Sequence, residues 1–218
     1  MKLKHDSETK YLEYYAKMLL ETYFSEDYYD IRKEESPDLR MGDTYGIEVT
    51  WAMFENQGQA GGILNHIKGN NVNQIDQRYV QTMSRIQTEI LTRDDGVICG
   101  YVPMDRKNKA SYKEIVEAYN KKKAKKYETA HTDLFIYPPL AQLDGWMGKD
   151  QIEECFDVLS DDLENPFDHI IIFEEPSLYL FDVRQKKKKF RRGTYEELTR
   201  CKKAADAYSG WSKRNELE

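Results

Sequence analysis

The segment Ser36-Pro37-Asp38-Leu39-Arg40-Met41-Gly42-Asp43-Thr44-Tyr45-Gly46-Ile47-Glu48-Val49-Thr50 decides how the chain reads. Tyr45, Ile47 and Val49 alternate with Gly46, Glu48 and Thr50, a period of two that predicts a strand over 44–52. Glu48 and Thr50 then share one face, and Ile47 and Val49 point to the other, into a core. Proline disfavours helix in the residue before it, so Ser36-Pro37 is a turn. A second turn near Gly42-Asp43 folds Asp38 back beside Glu48. Two carboxylates in one small volume repel unless a proton or a cation lies between them. Oxygen donors of this kind suit Mg²⁺ or Mn²⁺, and the Val49 carbonyl is a further candidate donor.

Outward from this segment, helices and strands alternate. Leu12, Tyr15, Ala16, Leu19, Leu20 and Tyr23 share a face of a helix over 8–24, with Ser7 as its cap. A short strand is expected at 28–34. The Gly-, Asn- and Gln-rich stretch 56–71 reads as a loop with a short helix at 63–68. Val72, Ile75, Tyr79, Met83, Ile86 and Ile90 are spaced as the apolar stripe of one long helix, ended by Asp94-Asp95-Gly96. A strand at 97–102 follows. Ser111 and Glu114 form a capping-box pattern for a helix running to about Lys126. A strand at 134–137, a helix at 149–163, an antiparallel pair at 169–173 and 178–183 around Pro176, and a closing helix at 194–209 complete the order. This is an α/β sandwich, read as one domain over residues 1–218.

The order helix, Pro37-Asp38, spacer, Glu48-Val49-Thr50 resembles the PD-(D/E)xK phosphodiesterase superfamily. The resemblance implies a restriction-endonuclease-like mixed β-sheet flanked by α-helices. It also implies a Mg²⁺- or Mn²⁺-dependent nuclease with Asp38 and Glu48 as metal ligands. The family often adds an acidic residue from the first helix, and Glu13 is the candidate, with Glu8 as the alternative. Where the family has lysine this chain has Thr50, which carries no positive charge to orient water or stabilise the transition state. A lysine migrated elsewhere is then needed. Lys68 is the nearest on a following helix, and Lys33 and Arg32 are others. Without one, the chain is a non-catalytic member of the fold that binds nucleic acid or a protein.

The chain carries 39% hydrophobic and 33% charged residues and a net charge of −6. Its cations are bunched at Lys121, Lys122, Lys123, Lys125 and Lys126, and again at Arg184, Lys186, Lys187, Lys188, Lys189, Arg191 and Arg192. An acidic protein with local basic faces still binds phosphates. Lys121, Lys122, Lys125, Lys186, Lys187, Lys188 and Arg191 are the candidate contacts to a nucleic-acid backbone, with DNA as the expected partner. Three widely spaced cysteines, with no CxxC, suggest neither a disulfide framework nor a zinc site and favour a reducing compartment. No stretch is apolar enough to span a bilayer, and the N-terminus lacks the apolar run of a signal peptide, so a cytoplasmic protein without a membrane partner is expected. Gln57-Gly58-Gln59-Ala60-Gly61-Gly62 lacks the Gly-Lys-Ser/Thr ending of a phosphate loop, leaving Gln57 or Gln59 as substrate contacts at most. His66 lies nearest the carboxylates in sequence, as a candidate base or phosphate contact. His169 opens an apolar strand and reads as structural.

Overall fold

The alternation at Tyr45–Trp51 does form a strand, and it sits inside a seven-stranded mixed sheet rather than at its edge. The computed structural model describes residues 2–53, 56–103, 112–138 and 149–210. In chain order the elements are α1 (Lys2–Tyr23), β1 (Arg32–Lys33), β2 (Leu39–Met41), β3 (Tyr45–Trp51), α2 (Gln57–Ile67), a 3₁₀ turn (Val72–Gln74) and α3 (Gln77–Arg85). They continue with β4 (Thr88–Thr92), β5 (Ile98–Pro103), α4 (Lys113–Lys123), β6 (His131–Tyr137), α5 (Lys149–Ser160), β7 (His169–Glu174), β8 (Ser177–Asp182), β9 (Lys187–Arg192) and α6 (Tyr195–Ser209). The large sheet runs β1-β2-β3-β6-β7-β8-β9, and β4 and β5 form a separate hairpin. β3, β6 and β7 are parallel, and the flanking strands are antiparallel.

Both faces of the sheet are covered, which makes three layers. Ile47, Val49, Phe135, Tyr137, Ile171 and Phe173 pack against Tyr15, Ala16, Leu19 and Leu20 of α1 and Leu198 and Ala205 of α6. The alternate residues Ala52, Leu134, Ile136, Ile170 and Ile172 pack against Ile115 and Tyr119 of α4 and Phe156 and Leu159 of α5. Central parallel strands buried on both faces need apolar residues at consecutive positions. The run Leu134-Phe135-Ile136 in β6 and the run Ile170-Ile171-Ile172 in β7 meet that need, all at 0% exposure.

Several elements depart from the sequence expectation. α1 begins at Lys2, so Ser7 lies within it and is not its cap. The strand expected at 28–34 is only Arg32–Lys33, followed by an unexpected β2. α2 is a helix from Gln57, not a loop with a single late turn. The long helix expected over 72–90 is broken into three pieces. The Asp76 side chain caps α3 by accepting from the Arg78 amide, and Gln87 takes a positive φ of 54° that ends helical backbone, so Ile90 falls on β4. Of that apolar stripe within α3, only Met83 is buried. Ser111 lies outside the described residues, and Tyr112 precedes α4 without a side-chain cap. β9 is a strand whose six residues are all exposed.

A buried polar network pins the start of the parallel strands on the α1 face. Asp133, fully buried, accepts from the hydroxyls of Tyr28 and Tyr45 and from the His169 backbone amide. The His169 ring nitrogen Nδ1 lies 2.9 Å from Asp133 Oδ1, and Nε2 lies 4.0 Å from Asp182. Burial pulls the imidazole pKa down, but the hydrogen bond and charge of Asp133, with Asp182 and Asp168, outweigh it and hold His169 above its ordinary value. A raised histidine pKa contributes stability that is complete below the unfolded value of about 6.5 and is lost as pH rises through the folded value. His169→Gln should therefore flatten the fall in melting temperature as pH rises above about 6.5, and a slope equal to wild type would refute this role.

Gly46, on β3, passes against the proline that precedes Asp38. A Cβ there would lie 2.5 Å from Pro37 Cγ and 2.8 Å from Thr129 Oγ1. Gly46→Ala should cost about 1–3 kcal/mol in urea unfolding by forcing these neighbours apart.

Candidate functional site

The β2–β3 ladder ends at the pair Leu39–Ile47, so the next residue back, Asp38, comes level with Glu48. Asp38 Oδ2 accepts the Val49 amide at 2.8 Å and so takes the bond that the ladder no longer supplies. Ile47 and Val49 belong to the α1 face and Ala52 to the α4 face, so alternation directs Glu48 and Thr50 toward α4. Glu48 is buried, with 2% of its side chain exposed. An ionised carboxylate in that position requires cationic or hydrogen-bonding partners.

Those partners come from the end of α4. Lys122 Nζ lies 2.6 Å from Glu48 Oε2 and 3.4 Å from Asp38 Oδ2, and Lys125 Nζ lies 3.2 Å from Glu48 Oε2. A common ammonium at these distances puts the two carboxylate oxygens within about 6 Å of each other. Lys122 is held from behind, since the Tyr127 hydroxyl donates to its backbone carbonyl at 2.7 Å. Burial lowers the Lys122 pKa, and Asp38 and Glu48 more than restore it, so the ammonium is held above its ordinary value. Lys121, Lys122 and Lys123 occupy the last turn of α4, where the helix dipole favours positive charge. Lys123 turns away to Asp162 at 2.6 Å.

Glu13 reaches the edge of this group from α1. It is buried and lies 2.7 Å from Lys33 Nζ. Its pKa is raised by burial first, then by the Asp38 charge, against the opposing pull of Lys33 and Lys122. Three carboxylates are thus matched by three ammonium groups.

The sequence candidates separate accordingly. Asp38 and Glu48 converge, with Glu13 alongside, while Thr50 is half-buried two residues along β3. Lys68 is exposed at the C-terminal cap of α2, and no contact places it on the carboxylates among the described residues. Lys33 pairs with Glu13, whereas Arg32 pairs with Asp30 at the surface. Lys122 and Lys125, expected on a nucleic-acid face, point at the carboxylates, and Lys121 is exposed. A signal for Lys122 was present in the sequence. It continues the stripe Ile115, Ala118, Tyr119 at the next helical position, so it had to face the sheet.

Lys186, Lys187, Lys188 and Arg191 lie on or beside β9, the far edge of the sheet. Four strand spacings from β3 amount to roughly 19 Å. Lys188 pairs with Asp157, and Arg191 with Glu197 and the Tyr23 carbonyl. His66 is exposed and stacks on Tyr79, Gln57 is buried and Gln59 exposed on α2, and Glu8 lies outside the described side chains.

As a cation site the donor set is suitable in kind. It is all oxygen and anionic, and two of its carboxylates already converge on one positive centre, the Lys122 ammonium. Among the described residues no group of three His, Cys, Asp or Glu side chains is drawn together closely enough to hold a metal without rearrangement.

Removing Lys122 leaves Glu48 buried with only the half-exposed Lys125. Lys122→Met should lose about 2–4 kcal/mol in urea unfolding, and adding Glu48→Gln should recover most of the loss. Equal losses in the single and double variants would show that the pair is not coupled.

No protein-family model matches the chain, and no curated protein or solved structure matches it.

Proposed function

We propose that the Asp38–Glu48 site is the centre of a divalent-cation-dependent phosphodiesterase of the PD-(D/E)xK kind, acting on nucleic acid, with DNA first. The observation that carries this reading is Lys122, whose ammonium bridges Asp38 and Glu48 from α4. It supplies from a helix the charge that Thr50 cannot supply from β3. The mixed sheet, with an antiparallel β1-β2-β3 leaf leading into parallel β6, supports the restriction-endonuclease-like arrangement.

A bound Mg²⁺ or Mn²⁺ offsets charge on the phosphate and acidifies water. Asp38 and Glu48 are the residues whose carboxylate oxygens would hold that cation. Glu13, its pKa raised, sits beside them as a third carboxylate that burial inclines toward protonation at the acid end of the pH range. Lys122 presents positive charge, without reorganising, to the phosphoryl oxygens as negative charge develops on them. A water oxygen bonds to phosphorus as the water gives up a proton to solvent, and the bond from phosphorus to the leaving sugar oxygen breaks as that oxygen takes a proton from solvent.

A specific observation favours a second reading. The three carboxylates are already matched by Lys33, Lys122 and Lys125, so the group is neutral as it stands. On that reading the domain binds nucleic acid or a protein without cleaving.

Cleavage of plasmid, single-stranded DNA and RNA in Mg²⁺ or Mn²⁺ separates the two. Wild type should cut at least one of them. Lys122→Met and Glu48→Ala should each lower the rate by about 10²-fold or more, while Lys68→Ala should match wild type. Full activity in Glu48→Ala sinks the assignment of the site, and salt-sensitive binding with no cleavage supports the second reading.

A further inference from the structure

The two lysines on Glu48 are not equivalent, and the difference assigns them separate jobs. Lys122 is 14% exposed, touches both carboxylates and has its backbone carbonyl bonded by Tyr127. Lys125 is 53% exposed, lies beyond the last residue of α4 and, among the described residues, makes its ion pair with Glu48, at 3.2 Å. Its residue is carried on a turn in which the Lys125 amide donates to the Lys122 carbonyl. A lysine head on a flexible four-carbon stem, half in water and held by one contact, leaves at little cost.

We propose that Lys125 is a displaceable counter-ion of Glu48, one that a divalent cation expels as it binds, so that this lysine sets the cation affinity of the site. The proposal rests on the reading of Asp38 and Glu48 as cation ligands.

The charge balance requires such a device. With both lysines in place the two carboxylates are neutralised, and a dication added there carries the cluster to a net charge of two positive in a partly buried space. Lys122 is fixed and stays. Lys125 is the group that yields, and once released its ammonium stands at the rim of the site, where a phosphodiester is the anion available to it. Cation binding thereby converts an internal counter-ion into an external anion contact. A salt-bridged site of this design rejects cations when no polyanion is present and favours joint binding of the two.

The test is titration of Mn²⁺ against the full chain, read as free Mn²⁺ by electron paramagnetic resonance, for wild type, Lys125→Ala and Lys126→Ala. Lys126 is the neighbouring exposed lysine and controls for net charge. Lys125→Ala should bind Mn²⁺ roughly three- to tenfold more tightly than wild type, with Lys126→Ala unchanged. Binding that is equal or weaker in Lys125→Ala overturns the inference while leaving the cation site standing. Equal tightening in both variants also overturns it, because the effect is then one of net charge. No Mn²⁺ binding in any of the three, with wild-type melting temperatures, removes the cation site and this inference together.

Discussion

A carboxylate buried on the third strand of the sheet is the constraint that the rest of this structure answers. Glu48 faces α4 from a strand covered on both sides, and its charge survives there only because α4 ends in lysines that reach back to it. That requirement fixes the length and height of α4, which in turn is locked by Tyr119 and Lys123 on Asp162 and by Tyr127 on the Lys122 carbonyl. It also explains why β2 stops where it does. Asp38 leaves the ladder, takes the Val49 amide and shares Lys122 with Glu48.

The neighbouring strand carries a second buried carboxylate, Asp133, facing the opposite side of the sheet, and the two are satisfied by different chemistry. Asp133 is bonded by two tyrosine hydroxyls, a backbone amide and an imidazole that are themselves packed in place. Glu48 is bonded by two ammonium groups, Lys122 held in place and Lys125 half in water. Fixed, directional donors make a structural anchor, whereas mobile point charges leave a carboxylate that another cation can claim.

Much of this was legible in the residues, for physical reasons that also mark the boundary of legibility. β3 announced itself because only alternate positions were polar, and α1 because its apolar residues fell on one helical face. The stripe from Val72 to Ile90 misled, since its spacing fits a helix but cannot register a positive φ at Gln87 or a cap at Asp76. β9 carries no apolar alternation at all, because an edge strand with both faces wet needs none, and its charges discourage pairing with another edge. The partner of Glu48 was harder still. Lys122 lies 74 positions along the chain, and nothing in the spacing of the five lysines says which strand one of them folds back onto. Only the stripe of Ile115, Ala118 and Tyr119 singled it out.

The parallel pairing of β3 with β6 has a consequence for how the chain reaches this structure. The two strands meet from Tyr45 opposite His131 to Trp51 opposite Tyr137, an 86-residue separation spanned by α2, α3, the β4–β5 hairpin and α4. Closing so long a segment costs chain entropy before the central sheet returns any contact energy. Until that closure occurs, the antiparallel leaf β1-β2-β3 lacks Lys122 and Lys125, the lysines that pair with Glu48. The carboxylate then remains in water, and β3 presents an open edge. Docking of α4 and pairing with β6 both depend on that closure, so the candidate site is complete only once the 86-residue segment has closed.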